Sequence, residues 1–189
     1  MCSQGTDEFI ERQIFDLASD IPVLNEQARQ WFLSQGPDIV DILMNALEDR
    51  RLGSVGHWRI LLLLRSSPQA RILPAVLKVL GNDDTITRPA AMEVLAAIKT
   101  PPAVDALIEL LGHANTDVVK YASVLLGHTG DKRSISPLVS LLNSPDPSIR
   151  YGAISGLIGL KRSEIRSILV EHLKKEINLE NQRLIETAL

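Results

Sequence analysis

The side chains able to do chemistry in this 189-residue chain are few and widely spaced. Histidine occurs at His57, His113, His128 and His172, and cysteine only at Cys2. A zinc site needs His and Cys ligands grouped at turn or helical spacing. The chain has no HExxH pair and no cysteine beside a histidine. His113 and His128 stand at the two ends of an expected helix over 116–128, which at 1.5 Å per residue holds them about 20 Å apart. They cannot share an ion. Nucleophilic catalysis is equally unsupported, because Ser136, Ser140 and Ser144 have no histidine within reach along the chain. No GxSxG elbow, phosphate loop or Gly-rich nucleotide fingerprint occurs either. We therefore expect no catalytic residue, no metal ligand and no cofactor.

The chemistry that remains is recognition by polar side chains at repeating positions. An offset of 31 residues aligns Leu80, Leu111, Leu142 and Leu173, with Leu47 joining at 33. Leu43, Val76, Leu107, Leu138 and Leu169 form a second apolar column, and Met44, Leu77, Ile108, Val139 and Val170 a third. Columns three and four apart make one stripe of a helix, so each repeat holds a helix expected to be buried along that stripe. The other half of each repeat aligns Ile60, Ala91, Ala122, Ala153 and Leu184, then Leu64, Leu95, Leu126 and Leu157. We call the latter the first helices of the repeats and the former the second helices. Three columns of the second helices vary while the core columns stay apolar. They read Asp38, Arg71, Pro102, Arg133, Glu164; then Asp41, Pro74, Asp105, Ser136, Ser167; then Asn45, Lys78, Glu109, Ser140, Glu171. Three- and four-residue spacing puts them on one face. The candidate partner-binding residues are Asp38, Asp41, Arg71, Lys78, Asp105, Glu109, Arg133, Ser136, Ser140, Arg166 and Glu171.

Turn chemistry agrees with the columns. "ANTD" before Val118 and "PDPS" before Ile149 supply capping residues where helices should start, and Gly130 follows a helix end. Pro74 and Pro137 fall near the starts of second helices, where proline is tolerated. The pattern predicts helices near 8–19, 24–35, 38–49, 55–66, 71–81, 86–99, 102–112, 116–128, 134–143, 148–160, 163–175 and 179–188. Gly152, Gly156 and Gly159 lie inside one of them. Each costs about 1 kcal/mol relative to alanine, which points to close approach of the next repeat.

The stretches "VDALIELLGHANTDVVKYASVLLGHTGD" (104–131) and "ISPLVSLLNSPDPSIRYGAISGLIGLK" (135–161) resemble HEAT and HEAT-like (phycobilin-lyase-type) repeats. The matching residues are Pro137, Leu141, Leu142, Pro145, Asp146, Ile149, Arg150 and Ala153, with Ala122, Leu126 and Gly127 in the preceding unit. The resemblance covers roughly residues 37–189. Val119 and His57 depart from the arginine of Arg88 and Arg150, and Arg166 interrupts the apolar column of Val40, Leu73, Val104 and Ile135. The resemblance implies an all-α fold, a right-handed alpha-alpha superhelix of about five helix pairs, with the second helices lining a concave face that holds a partner protein. Residues 1–36 read as an N-terminal cap or irregular first repeat, and 37–189 as one continuous array. Helical-repeat hydroxylases of the deoxyhypusine kind hold di-iron with His-Glu dipeptides, whereas this chain has only Glu171-His172 in the reverse order. Some proteins of this repeat type handle bilin pigments as half of a heterodimer. That alternative would need aromatics grouped in a pocket, and Trp31, Phe32, Trp58, Tyr121 and Tyr151 are scattered and read as core.

Composition limits the setting. At 45% hydrophobic and 23% charged residues the chain should fold. A single cysteine suits a reducing compartment, cytoplasm by default. No apolar run is long enough to cross a bilayer. Residues 1–56 carry 10 acidic and 4 basic side chains, net −6, and residues 57–189 carry 13 and 16, net +3. With a pI near 5.8, nucleic acid is a poor partner. "NLENQRLIETAL" supplies a first helix without its second, to be read as a cap or as an edge that a partner completes. The expected function is a non-enzymatic scaffold or adaptor that binds another protein along the second-helix face.

Overall fold

A computed structural model describes residues 2–82 and 84–189, with side chains for 7–36, 39–82 and 84–189. Among the described residues every regular element is helical. The chain forms two compact units, Met1–Val94 and Leu95–Leu189. The α-helices are α1 (Cys2–Ala18), α2 (Pro22–Ser34), α3 (Val40–Ala46), α4 (Gly53–Ser66), α5 (Leu73–Leu80), α6 (Thr87–Ile98), α7 (Pro101–Glu109), α8 (Thr116–Thr129), α9 (Ile135–Leu141), α10 (Pro147–Gly159), α11 (Ser163–Leu173) and α12 (Leu179–Ala188). All twelve expected helices are present.

Local chemistry explains where they start and stop. The side chain of Asn115 accepts from the Asp117 N–H, and Asp146 from the Ser148 N–H, each satisfying a donor that the first turn leaves unpaired. Asn178 does the same for Asn181 at the start of α12. Gly130 closes α8 in the left-handed region at φ +72°. The second helices are shorter than expected, because 3-10 turns take over their ends: Ala70–Ile72 before α5, Lys132–Ser134 before α9 and Leu110–Gly112 after α7. Pro74 and Pro137 sit in the first turns of α5 and α9, where the missing N–H costs nothing. At the other end of the chain α1 begins six residues before the expected start, at Cys2.

The core columns are nearly inaccessible. Leu43, Val76, Leu107, Leu138 and Leu169 are buried, as are Ile60, Ala91, Ala122 and Ala153 and the column of Leu64, Leu95, Leu126 and Leu157. The third second-helix column departs from expectation. Leu77 and Val170 are exposed, and Met44, Ile108 and Val139 are half-buried. The stripe is therefore narrower than three columns and leaves an apolar edge on the second helices. Trp58 is not a core residue either, since more than a third of it is open to solvent.

In the unit Leu95–Leu189, α7 packs on α8, α9 on α10 and α11 on α12, and the first helices α8, α10 and α12 stack on one another. The α8–α10 seam is the tightest contact. A Cβ built on Gly156 would lie 2.2 Å from the Ser123 carbonyl oxygen, and one on Gly152 would lie 2.9 Å from the Lys120 backbone. Gly127 faces the Gly156 backbone in the same way. The interior glycines are there for proximity. In the unit Met1–Val94, α1 packs on α2 and both pack on α4. The Arg59 guanidinium on α4 donates to the carbonyls of Leu17 and Ser19, capping the end of α1.

Candidate partner-binding grooves on the second helices

Two grooves open at the C-terminal ends of consecutive second helices. One, of about 210 Å³, lies where α3 meets α5 and is lined by Leu47, Glu48, Arg50, His57, Ala75, Lys78, Val79 and Asn82. The other, of about 370 Å³, lies where α9 meets α11 and is lined by Val139, Leu142, Asn143, Ser167, Ile168, Glu171, His172 and Lys175. Six positions correspond between them, three repeats apart: Leu47 with Leu142, Glu48 with Asn143, Ala75 with Ile168, Lys78 with Glu171, Val79 with His172, and Asn82 with Lys175. The frame is the same and the chemistry differs. A lysine spans each groove: Lys78 Nζ lies 2.8 Å from Glu48 Oε1, and Lys175 Nζ lies 3.0 Å from Asn143 Oδ1.

Most of the charged residues expected on this face are exposed and paired to the neighbouring repeat. Arg71 Nη1 donates to both oxygens of Asp41 at 2.9 Å. The same column relation recurs two repeats further along: Arg133 Nη1 donates to Asp105, and its Nη2 donates to Asp131 at 2.8 Å and to the Pro101 carbonyl at 3.2 Å. The Arg133 guanidinium also holds the Asp131 carboxyl below its usual range, and Asp131 raises Arg133 in return. Glu171 pairs with Lys174 at 2.6 Å, and that contact lowers its carboxyl. The Ser140 hydroxyl donates to the Ser136 carbonyl at 3.1 Å, and Glu109 is exposed. Arg166 turns toward α12 and donates to the Leu189 carbonyl. The side chain of Asp38 lies outside the described residues. The structure thus joins Asp41 to Arg71 and Asp105 to Arg133, while only Lys78 and Glu171 line a groove.

One cluster was missed by the sequence reading. Glu176, 4% exposed, accepts hydrogen bonds from Arg150 Nε at 2.9 Å and Nη2 at 2.7 Å, from His172 Nε2 at 3.0 Å and from Asn181 Nδ2 at 3.3 Å. The backbone N–H groups of Ile177 and Asn178 donate to it at 3.0 and 2.9 Å. Arg150 is the main reason its carboxyl sits far below the ordinary range, against the opposing effect of burial. Glu176 also raises Arg150. An ionised carboxylate only accepts, so His172 Nε2 carries the proton, and in the neutral ring Nδ1 is an acceptor. That Nδ1 is buried with no hydrogen-bond partner, while the ring lines the α9–α11 groove. The cluster orients the groove wall and ties down the chain between α11 and α12. Its signal in the sequence was His172 itself, standing in a column otherwise filled by Ala46, Val79, Leu110 and Leu141. No group of three or more His, Cys, Asp or Glu side chains converges as a metal site among the described residues. No described helix is long and apolar enough to cross a membrane.

Stacked helix pairs with a repeating core define a helical-repeat protein. Residues 40–125 match the family model described as HEAT repeats, and the chain has a HEAT-like helical-repeat fold. No curated protein matches it in sequence. Among solved structures it is similar to a chain in the complex of CpcE and CpcF of phycocyanin lyase from Nostoc sp. PCC7120, with TM-score 0.61 and 21% identity over 80% of this chain and 98% of that one. It is similar to human deoxyhypusine hydroxylase, with TM-score 0.55 and 17% identity over 93% of this chain and 70% of that one. A designed armadillo repeat protein in complex with the peptide (KR)4 is also similar, with TM-score 0.54 and 17% identity over 93% of this chain and 96% of that one. These likenesses establish the fold.

Proposed function

We propose that this chain is a non-catalytic scaffold or adaptor that binds another protein along its second helices, in a reducing, cytoplasmic setting. The observation that supports this reading is the pair of grooves built from the same six columns. A fixed frame carries Glu48, Lys78 and Asn82 in one and Asn143, Glu171 and Lys175 in the other. Corresponding positions with changing side chains are what selective recognition of an extended partner requires. Apolar floors, half-buried Ala75 with buried Val79 in one and half-buried Val139 and Ile168 in the other, offer desolvated contact beneath the polar rims. The designed armadillo relative binds a peptide on a similar repeat frame.

The test is capture of proteins from native soluble extract by the tagged chain, with hydrogen exchange on the complex. A partner that protects α5, α9 and α11, and is lost with Lys78→Glu combined with Glu171→Lys, supports the proposal. A partner indifferent to that double reversal refutes it. The likeness to the phycocyanin lyase complex supports a second reading, a bilin lyase-type or phycobilisome-associated subunit working with a partner chain. An eluate with bilin absorbance, lost when the partner chain is removed, would favour it.

A further inference from the structure

A third groove lies away from the second helices, between α2 and α4 in the unit Met1–Val94, with a volume of about 400 Å³. Leu33, Trp58 and Leu62 form its apolar surface, and Arg29, Arg59 and Arg65 stand around it. No carboxylate lines it. Leu33 and Trp58 are exposed large apolar side chains, 45% and 37% accessible, which a folded chain rarely leaves beside one another without use.

The three guanidiniums are alike in how they are engaged. Arg59 donates through Nη1 alone, to the carbonyls of Leu17 at 3.1 Å and Ser19 at 2.6 Å. Arg29 donates through Nη1 to Glu26 at 3.2 Å, and Arg65 through Nη1 to Glu93. The Nε and Nη2 donors of all three make no hydrogen bond among the described residues. Among the described residues Arg59 faces no carboxylate within ion-pair distance, and its charge is met by backbone carbonyls at the end of α1. A guanidinium with an open edge matches a carboxylate through two parallel hydrogen bonds, which a lysine cannot do. Glu26 and Glu93 each engage one Nη1 and leave the remaining donors of Arg29 and Arg65 open.

We propose that the α2–α4 groove is a second docking site, for an acidic peptide segment of a partner protein that inserts an apolar anchor against Trp58, Leu33 and Leu62 while flanking carboxylates meet Arg29, Arg59 and Arg65. The volume accommodates one or two large side chains, and small pockets of about 300–1,000 Å³ with a few convergent polar groups are the usual form of such sites. The apolar anchor carries the affinity and the arginines set the charge of the residues that flank it.

The full chain is titrated with acetyl-EELFEE-amide, acetyl-KKLFKK-amide and acetyl-EEGGEE-amide, following the indole N–H signals of Trp58 and Trp31 by NMR and the heat by calorimetry. Trp31 packs edge-on against Phe9 and Phe32 and serves as the internal reference. The expected result is saturable binding of the first peptide that moves the Trp58 signal and leaves Trp31 in place. The other two should bind at least about tenfold more weakly. Arg29→Glu with Arg65→Glu, both about half exposed and outside the core, should weaken binding about tenfold at unchanged helix content. Equal binding of the lysine or glycine peptide, an unmoved Trp58 signal at millimolar peptide, or an unchanged affinity in the double variant would overturn the proposal. So would a dimer in solution that the double variant dissociates, since the groove would then hold a second copy of this chain. Lys78 and Glu171 variants leave this readout untouched, so it is separable from binding on the second helices.

Discussion

Replacing Gly156 with alanine would place a methyl group 2.2 Å from the Ser123 carbonyl oxygen, and 3.2 Å from Leu138 Cδ1. Ordinary contact begins near 3.4 Å, so α10 must move about 1 Å away from α8 before the side chain fits. The obstacle is main chain and no rotamer change relieves it. Overpacking of this kind costs about 1–3 kcal/mol, and a backbone obstacle belongs at the upper end. Alanine returns about 1 kcal/mol of helix propensity. The net expectation is a loss of about 2 kcal/mol, which for a chain of this size lowers the melting temperature by about 4–8 °C. Gly159 is the control, because its added Cβ would meet Gly127 at 3.2 Å, a contact that a few tenths of an ångström relieve. Gly159→Ala should therefore be near neutral. Thermal unfolding followed by far-UV circular dichroism, on the two variants and the parent, measures the difference. If Gly156→Ala melts at or above the parent, the seam is not a backbone-to-backbone contact and the argument for these glycines fails.

Glu176→Gln leaves the Arg150 guanidinium without its counter-charge in a site where Arg150 is only 11% exposed, and should cost about 3–5 kcal/mol. It should also change the acid limb. The folded-state carboxyl of Glu176 is depressed relative to its ordinary value of 4.5, so its contribution is complete above that value and is lost as pH falls toward the depressed one. Urea midpoints of the parent should therefore fall more steeply than those of Glu176→Gln between about pH 5 and 3. Equal slopes would mean that Glu176 is not the ionised hub. Asp105→Ala removes an exposed ion pair with Arg133 and should cost less than about 1 kcal/mol. On the proposed function the same change weakens capture of the second-helix partner, and unaltered capture would place Asp105 outside the contact.

How much of this was legible in the sequence can be followed residue by residue. The Leu43 and Ile60 columns were readable because burial forces one residue class at one helical phase, and each recurrence repeats the evidence. Asn115, Asp146 and Gly130 were readable because caps act within a few residues of themselves. The exposure of Leu77, Val170 and Trp58 was not, since an apolar side chain reads the same whether it fills a core or edges a groove. The grooves themselves escaped too. Their rims combine Glu48 with Lys78 and Asn143 with Lys175, pairs that belong to different repeats and different columns. The chosen residues Asp41 and Asp105 on α3 and α7 pair with Arg71 and Arg133 in the 3-10 turns that lead into α5 and α9, a pairing between repeats that no single column displays.

The sequence by itself determined the helices, their repetition and the central buried columns of Leu43 and Ile60, because hydrophobic periodicity and capping are local and are counted several times over along the chain. The tertiary structure alone decided the rest. Glu176 is an ordinary acidic residue by position, and it becomes a buried, ionised centre only when α10, α11 and α12 bring Arg150, His172 and Asn181 to it. Gly156 becomes a point of contact only when α8 lies across it. Such features depend on the distance between atoms far apart in the chain, and a linear pattern of residue types carries periodicity but not that distance.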